Sequence, residues 1–333
     1  MELEFRGVWS PPLKALSATF SGGLHVVLGA ATDGTSDLIA LAAGSRLPRR
    51  GSLVLSGTPL FASPALRRRT ASVLADEAPS GSRAVADWCR DIGELKGFDA
   101  AASVATYCPG IGGERALASL SLAECRELAL AAALGQPTPA LVALHEPLAS
   151  LAPALLSRAL ERIHELARET IVLCTASAVS DARRLGGSLH VLERGVLARS
   201  SAHAWPDAVT PGLASELWID CRAPRELLRE LAASSDVTRA SFEGDRLRVG
   251  GPNLERLCQA VALAAVNSRA GIRALGAVTP DLALVHAATA GLASAAYQAA
   301  QLRATSGAIH AQPAAAPSPN TAAAEPPSDG GKT

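Results

Sequence analysis

Lysine and aromatic side chains are scarce in this chain of 333 residues. Aromatic residues make up 3% of the sequence, and lysine supplies only 3 of the 31 basic residues. Because 31 acidic residues balance the basic ones, no net positive charge is present to attract a nucleic acid. We therefore expect no nucleic-acid partner and a core built mainly from leucine, valine and alanine.

Paired cysteines and long apolar runs are also lacking. The 6 cysteines are widely spaced and none forms a C-x-x-C pair, which excludes the usual metal and disulfide frameworks. The nearest approach to a membrane span, Leu282 to Ala300, is mostly alanine and contains His286, so it predicts a closely packed soluble helix. The charged, strand-like start at Met1 does not look like a signal peptide. We expect any membrane-spanning partner to be another chain.

A glycine-flanked loop follows an apolar run, Leu24 to Leu28, and precedes a helical stretch, Asp37 to Ala43. Its residues Gly29, Gly34, Thr35 and Ser36 match the phosphate-loop pattern G-x-x-x-x-G-K-[ST], with threonine in place of lysine. A strand–loop–helix arrangement suits phosphate binding because backbone N–H groups at the helix start point at the anion. Taken alone, however, the pattern also fits a tight turn in any doubly wound sheet.

Three further segments follow in a fixed order. A helix is predicted to begin around residues 119–124 and to continue to Leu134. A buried strand from Leu141 to Leu144 ends in His145-Glu146-Pro147, and another strand covers Thr170 to Cys174. The order and spacing resemble the nucleotide-binding subunits of ATP-binding-cassette (ABC) transporters. The resemblance extends from about residue 3 to residue 199, and its best stretch is 120–147.

The resemblance implies roles for the loop residues. In the family the loop lysine binds the β- and γ-phosphates of ATP, and the next hydroxyl holds Mg²⁺; here Thr35 replaces the lysine and Ser36 keeps the hydroxyl. Asp33 places a negative charge inside a loop meant for phosphate. Losing one charge-assisted contact costs roughly 1.5–3 kcal/mol. We predict that Gly29, Asp33, Gly34, Thr35 and Ser36 bind nucleotide weakly.

The two residues after the strand Leu141 to Leu144 also depart from the family pattern, in a way that weakens metal binding. An aspartate that organises Mg²⁺ is replaced by His145, and the glutamate that polarises the attacking water remains as Glu146. Imidazole is a poor ligand for magnesium, so His145 is either a metal ligand or a tolerated replacement. Glu146 is either the remaining catalytic base or a solvated carboxylate at a strand end. Ala176 stands where the family has its γ-phosphate-sensing histidine.

Two other motifs complete the comparison. The family's L-S-G-G-Q appears here as Leu120-Ser121-Leu122-Ala123-Glu124, in which Ser121 is predicted to cap a helix and remains a candidate phosphate donor. Side chains at 122 and 123 occupy the space that glycine leaves for a partner's nucleotide. Trp9 lies near the position of the family's adenine-stacking aromatic residue, although core packing explains it as well.

The resemblance and the local patterns together predict the organisation of the chain. We expect an α/β fold of the P-loop NTPase type: an ABC cassette over residues 1–200, with a mixed sheet and a helical insert at about 80–134. A linker at 201–214 leads to a small ferredoxin-like α+β domain at 215–305, predicted from a β-α-β-β-α-β order with a closing helix. Residues 306–333 are rich in alanine and proline and predict a disordered tail.

Two functional hypotheses follow. The chain is an ATP- and Mg²⁺-binding subunit of a transporter of exporter type, with weak binding and impaired hydrolysis, or it is a non-enzymatic scaffold of cassette shape. The first implies a transmembrane permease subunit, a second cassette in a homo- or heterodimer, and a cytoplasmic location on the inner face of the cell membrane. The second implies docking on a permease or on an active paralogue. The sequence alone predicts neither an active nor an inactive ATPase.

Overall fold

A computed structural model describes residues 1–76, 78–201 and 215–278, together with Leu282, Val285 and His286. Glu77, most of the predicted linker (202–214), most of the predicted closing helix and the predicted tail (306–333) lie outside these residues.

An antiparallel sheet forms the N-terminal layer. Its strands, in the order β2-β1-β4-β5, are β1 (Glu2–Ser10), β2 (Leu13–Ser21), β4 (Arg50–Leu55) and β5 (Thr58–Pro59). Apolar residues alternate with exposed ones along β1, so that Leu3, Phe5 and Val8 all point inwards. One face of this sheet is therefore buried.

A six-stranded sheet is the centre of the cassette. Its order is β10-β9-β3-β8-β7-β6, formed by β3 (Gly23–Leu28), β6 (Thr70–Val73), β7 (Leu141–Leu144), β8 (Ile171–Ala176), β9 (Ser188–Glu193) and β10 (Val196–Ser201). All neighbours pair in parallel except β9 and β10. Every residue of β7 and β8 is buried, as expected for parallel strands covered on both faces.

Helices cover both faces of this sheet. They are α1 (Thr35–Ala42), α2 (Pro64–Arg68), α3 (Val85–Lys96), α4 (Ala100–Tyr107), α5 (Leu122–Leu134), α6 (Pro153–Ala167) and α7 (Val179–Leu185). Helix α1 shares an apolar cluster with the N-terminal sheet, whereas α6 and α7 belong to the cluster on the opposite face. Helices α3, α4 and α5 share a third cluster, which includes Val85, Val104 and Leu128. This third cluster lies in the region predicted as the helical insert.

Residues 215–278 form a separate antiparallel sheet with two helices. The elements are β11 (Ser215–Cys221), α8 (Pro224–Leu231), β12 (Arg239–Glu243), β13 (Arg246–Gly251), α9 (Leu254–Ser268) and β14 (Ile272–Val278), and the strand order is β12-β13-β11-β14. Leu217 and Ile219 on β11 pack with Leu227 of α8 and Leu257 of α9. This part of the chain therefore has its own core.

The three described residues beyond β14 have helical conformation. Val285 is fully buried, with 0% of its surface exposed, and belongs to the same apolar cluster as Leu28 and Ala176 of the cassette. Leu282 packs against that cluster. Within the described residues, no helix is long and apolar enough to span a membrane.

Candidate nucleotide site

Parallel pairing brings the predicted site segments to one edge of the central sheet. Leu28 lies opposite Ala176, and Leu144 lies opposite Cys174, so β3, β7 and β8 end together. The loop that begins at Gly29 and the pair His145-Glu146 both start at this edge. It is the edge at which open parallel sheets bind their ligands.

The loop is a closed turn stabilised by its own backbone. The N–H of Asp33 donates to the carbonyl of Ala30 (3.0 Å), and that of Gly34 donates to Ala31 (3.1 Å). Gly34 has a φ of 98°, a left-handed conformation that favours glycine. A Cβ at Gly29 would lie 2.7 Å from the carbonyl oxygen of Leu192, so packing excludes a side chain there.

The carboxylate of Asp33 lies inside this loop. Its Oδ2 accepts the N–H of Ala30, and its Oδ1 accepts the N–H of Arg194, both at 2.8 Å. The side chain is 9% exposed, and the Nε2 of His286 lies 3.7 Å from Oδ2, which is ion-pair range for a protonated ring. An internal carboxylate thus accepts one backbone N–H of the loop and one of the turn that follows β9. Sequence patterns gave no signal for either distant partner, Arg194 or His286.

The hydroxyl residues that follow the loop begin helix α1. Thr35 is 1% exposed and its hydroxyl donates to the carbonyl of Ala30 at 3.3 Å, so this side chain closes the loop. Ser36 is half-buried in the first turn of the helix. The helix start that the loop pattern predicts is therefore present, without a cation at its lysine position.

His145 is buried at the end of β7. It is 6% exposed, and neither ring nitrogen has a hydrogen-bond partner among the described residues. Burial lowers its pKa below the usual value, and the nearby Glu146 and Asp76 oppose that shift. Burial therefore favours the neutral form of the ring.

The backbone that carries Glu146 is held firmly. Its φ is 45°, and its N–H donates to Oγ1 of Thr175 at 3.2 Å. Nη2 of Arg126 donates to the carbonyls of His145 (3.3 Å) and Glu146 (3.1 Å). The carboxylate itself has no hydrogen-bond partner among the described residues, so it remains available to a ligand or to water.

Ser36 and His145, the two residues predicted to hold magnesium, do not match the ligands that this ion prefers. A neutral, buried imidazole and one hydroxyl do not supply the oxygen ligands that Mg²⁺ requires. Among the described residues, no group of three or more histidine, cysteine or acidic side chains could hold a metal ion. The two residues predicted to hold the metal, Ser36 and His145, therefore do not form a magnesium site by themselves.

The signature-like segment starts helix α5. The Ser121 hydroxyl accepts the N–H of Glu124 at 3.2 Å, and the Glu124 carboxylate accepts the N–H of Ser121 at 2.8 Å, a reciprocal cap. Hydrogen bonds from the Arg115 guanidinium, and to a smaller extent from Ser121, lower the pKa of Glu124 to about 2. Leu120 is half-buried against the cluster of the helical insert. These polar groups are thus committed to the cap.

Trp9 is half-buried near the end of β1, opposite Arg50 of β4, and its carbonyl accepts the N–H of Arg49 at 2.9 Å. The turn that follows β1 approaches the loop, since a Cβ on Gly34 would lie 2.9 Å from Leu13. Trp9 therefore lies at the end of the N-terminal sheet that is next to the turn bordering the loop.

A separate cavity of about 620 Å³ lies between β6 and helices α3 and α5. Lys96 lines it, and its ammonium donates to the carbonyls of Arg67 (3.0 Å) and Thr70 (2.7 Å). Burial lowers the pKa of this lysine. None of the predicted site residues lines the cavity.

The fold is similar to that of a solved ABC protein. The structure of an ATP-binding subunit of an ABC transporter is similar over 63% of this chain and 92% of its own, with 19% sequence identity and a TM-score of 0.54. A Pyrococcus furiosus protein described as an ABC transporter ATP-binding protein is similar over 53% of this chain and 92% of its own, with 18% identity and a TM-score of 0.44. No protein-family model and no curated protein matches the sequence. The first likeness concerns the fold alone, and it confirms the predicted α/β cassette.

Proposed function

We propose that this chain, which has the fold of an ABC nucleotide-binding cassette, is a transporter subunit of exporter type with weak nucleotide binding and impaired hydrolysis. One observation carries the proposal. Inside the loop proposed to hold a phosphate, the carboxylate of Asp33 accepts the N–H of Ala30 and that of Arg194, which comes from the turn after β9.

Charge at the loop opposes phosphate binding in two ways. The loop lacks the lysine that would offset the negative charge of the phosphates, because Thr35 stands there. A phosphate can take the Ala30 N–H only after Asp33 releases it, and the released carboxylate would face another anion. Each lost charge-assisted hydrogen bond costs about 1.5–3 kcal/mol, or one to two decades of affinity. The remaining donors are the helix start and the loop backbone.

Hydrolysis requires more than binding. Phosphoryl transfer depends on positioned charges around the γ-phosphate and its metal. Here Glu146 remains as the candidate base, while His145 and Ala176 occupy the positions that organise the metal and sense the γ-phosphate in the resembled family. Such losses each lower the rate by orders of magnitude, and their effects do not simply add.

Partners follow from the resemblance. We infer a transmembrane permease subunit and a second cassette, in a homo- or heterodimer, and a peripheral location on the inner face of the cell membrane. The solved relative described as an ATP-binding subunit of an ABC transporter supports this inference. Ser121, Leu120 and Glu124 are the residues that this chain would offer to the nucleotide of the second cassette.

The second candidate function is a non-enzymatic scaffold that docks on a permease or on an active paralogue. The cap at α5 favours it, since Ser121 and Glu124 satisfy each other there. A signature serine engaged in a cap has less capacity to bind a partner's phosphate.

Isothermal titration of the purified chain with ATP, in EDTA and in Mg²⁺, separates the two functions. Weak binding that is insensitive to Mg²⁺, with slow turnover, supports the subunit; absence of both supports the scaffold. The double variant Thr35→Lys/His145→Asp restores the two lost charges, and we expect tighter binding that now depends on Mg²⁺. Thr58→Lys, on exposed β5, is the control for added positive charge. Rapid turnover by the unmodified chain alone would refute both functions.

A further inference from the structure

We propose that Leu282, Val285 and His286 close the loop 29–34 from within the chain and so oppose the entry of a phosphate group. The inference rests on the proposed function, since it takes this loop to be the nucleotide site. It adds an autoinhibitory contact made by a part of the chain that follows β14.

The apolar residues of this segment are seated on the cassette. Leu282, Val285 and His286 each have helical conformation, and Leu282 and Val285 both belong to the packing of one apolar cluster of the cassette. Val285 is fully buried (0% exposed) in the cluster that includes Leu28 and Ala176. Leu28 directly precedes the loop, and the carbonyl of Ala176 accepts the N–H of Gly29 at 3.0 Å. The cluster that seats the segment therefore extends to the base of the loop.

The polar residue of the segment contacts the loop itself. Nε2 of His286 lies 3.7 Å from Oδ2 of Asp33, and the two side chains are 20% and 9% exposed. The same Oδ2 accepts the N–H of Ala30 at 2.8 Å. Oδ2 of Asp33 thus faces the His286 ring and also accepts the N–H of Ala30.

The geometry makes closure and phosphate binding mutually exclusive. A phosphate that takes the Ala30 N–H must displace the Asp33 carboxylate. Displacement breaks the contact to His286 and the hydrogen bond from Arg194 at the same time. A ligand that binds only the open form loses apparent affinity in proportion to the closed population. If His286 instead replaced the missing lysine as a phosphate ligand, it would strengthen phosphate binding. Closure predicts the opposite, that His286 weakens phosphate binding.

Hydrogen–deuterium exchange of the full chain tests closure without any ligand. His286→Ala removes the polar contact, and Val285→Ala weakens the apolar seat. We expect the amides of residues 29–36 to exchange at least about threefold faster in each variant, because local opening becomes easier. His164→Ala, an exposed histidine on α6, is the matched control and should leave the loop unchanged. Unchanged loop exchange in folded His286→Ala protein overturns the proposal, whatever happens to Val285→Ala.

Titration with inorganic tripolyphosphate in EDTA gives the second measurement. Val285→Ala should bind it about tenfold more tightly than the unmodified chain, as expected for removal of two buried methyl groups from the closed form. His286→Ala should also bind more tightly, whereas weaker binding would overturn closure. If no form binds tripolyphosphate but loop exchange accelerates, closure is supported and the proposed nucleotide function fails.

Discussion

Replacing Asp33 by asparagine should convert the loop from a self-satisfied turn into a better anion site. The variant keeps one carbonyl oxygen as an acceptor for the N–H of Ala30 or of Arg194, so the turn can persist. It removes the negative charge that a phosphate must approach. The substitution therefore tests the effect of the charge at residue 33 on phosphate binding separately from the effect of its hydrogen bonds on the loop conformation.

The magnitude follows from the position of the carboxylate. A phosphate that takes the Ala30 N–H would lie within roughly 5 Å of the displaced charge, where two unit charges repel by about 3 kcal/mol at an effective dielectric constant of about 20. Part of this gain is offset, since the neutral amide is a weaker acceptor than the carboxylate. We expect ATP affinity to rise by one to two decades. Stability should fall by about 1–3 kcal/mol, because one N–H loses its charged partner.

The assay is isothermal titration with ATP in EDTA, alongside urea unfolding. Asp91→Asn, on the exposed surface of α3, makes the same change in net charge away from the loop. It should leave affinity unchanged. If Asp33→Asn binds ATP no more tightly than this control, the carboxylate does not compete with phosphate, and the observation that carries the proposed function loses its meaning.

Two further predictions concern the folding of the site and its sheet. Gly29→Ala should destabilise the chain by about 1–3 kcal/mol, because its Cβ would lie 2.7 Å from the Leu192 carbonyl oxygen, while Gly22→Ala, with nothing within 4 Å, should be nearly neutral by urea unfolding. His25 and His190 hydrogen-bond at 3.1 Å, and burial lowers the pKa of both, that of His190 to about 3. Since the unfolded chain binds protons more readily than the buried His190 ring, stability should fall as pH drops from about 6.5 to about 3, by up to about 1.4 kcal/mol per pH unit for that ring. The lowered pKa of His25 acts in the same direction. A double His→Gln variant with an unaltered pH profile would contradict this.

The backbone of the site was predictable from local patterns. The strand Leu141–Leu144 and the strand–loop–helix unit around Gly29 lie where the sequence predicts them. Buried parallel strands are unbroken apolar runs, and glycine marks the turns between them. The cap at Ser121 is also predictable from the sequence, because a serine followed three residues later by a glutamate is the capping-box pattern.

The electrostatics of the site were not predictable in the same way. The sequence identifies Asp33 as an unfavourable charge for phosphate, but its partners Arg194 and His286 lie far away in the chain. Only tertiary packing brings them to the loop. His286 appeared in the sequence merely as a polar interruption of an alanine-rich helix.

The glycines of the loop, which first suggest a phosphate site, are required by folding alone. A side chain at Gly29 would collide with the backbone of Leu192, and Gly34 has a left-handed φ of 98° with Leu13 packed beside it. These constraints hold with or without a nucleotide. The glycine pattern therefore argues for the cassette fold, and only the charged groups bear on whether it binds phosphate. At this loop the Asp33 carboxylate accepts the N–H of Ala30, and the His286 ring faces that carboxylate. The fold and the electrostatics therefore point to different conclusions, and the function must be decided at Asp33 and His286.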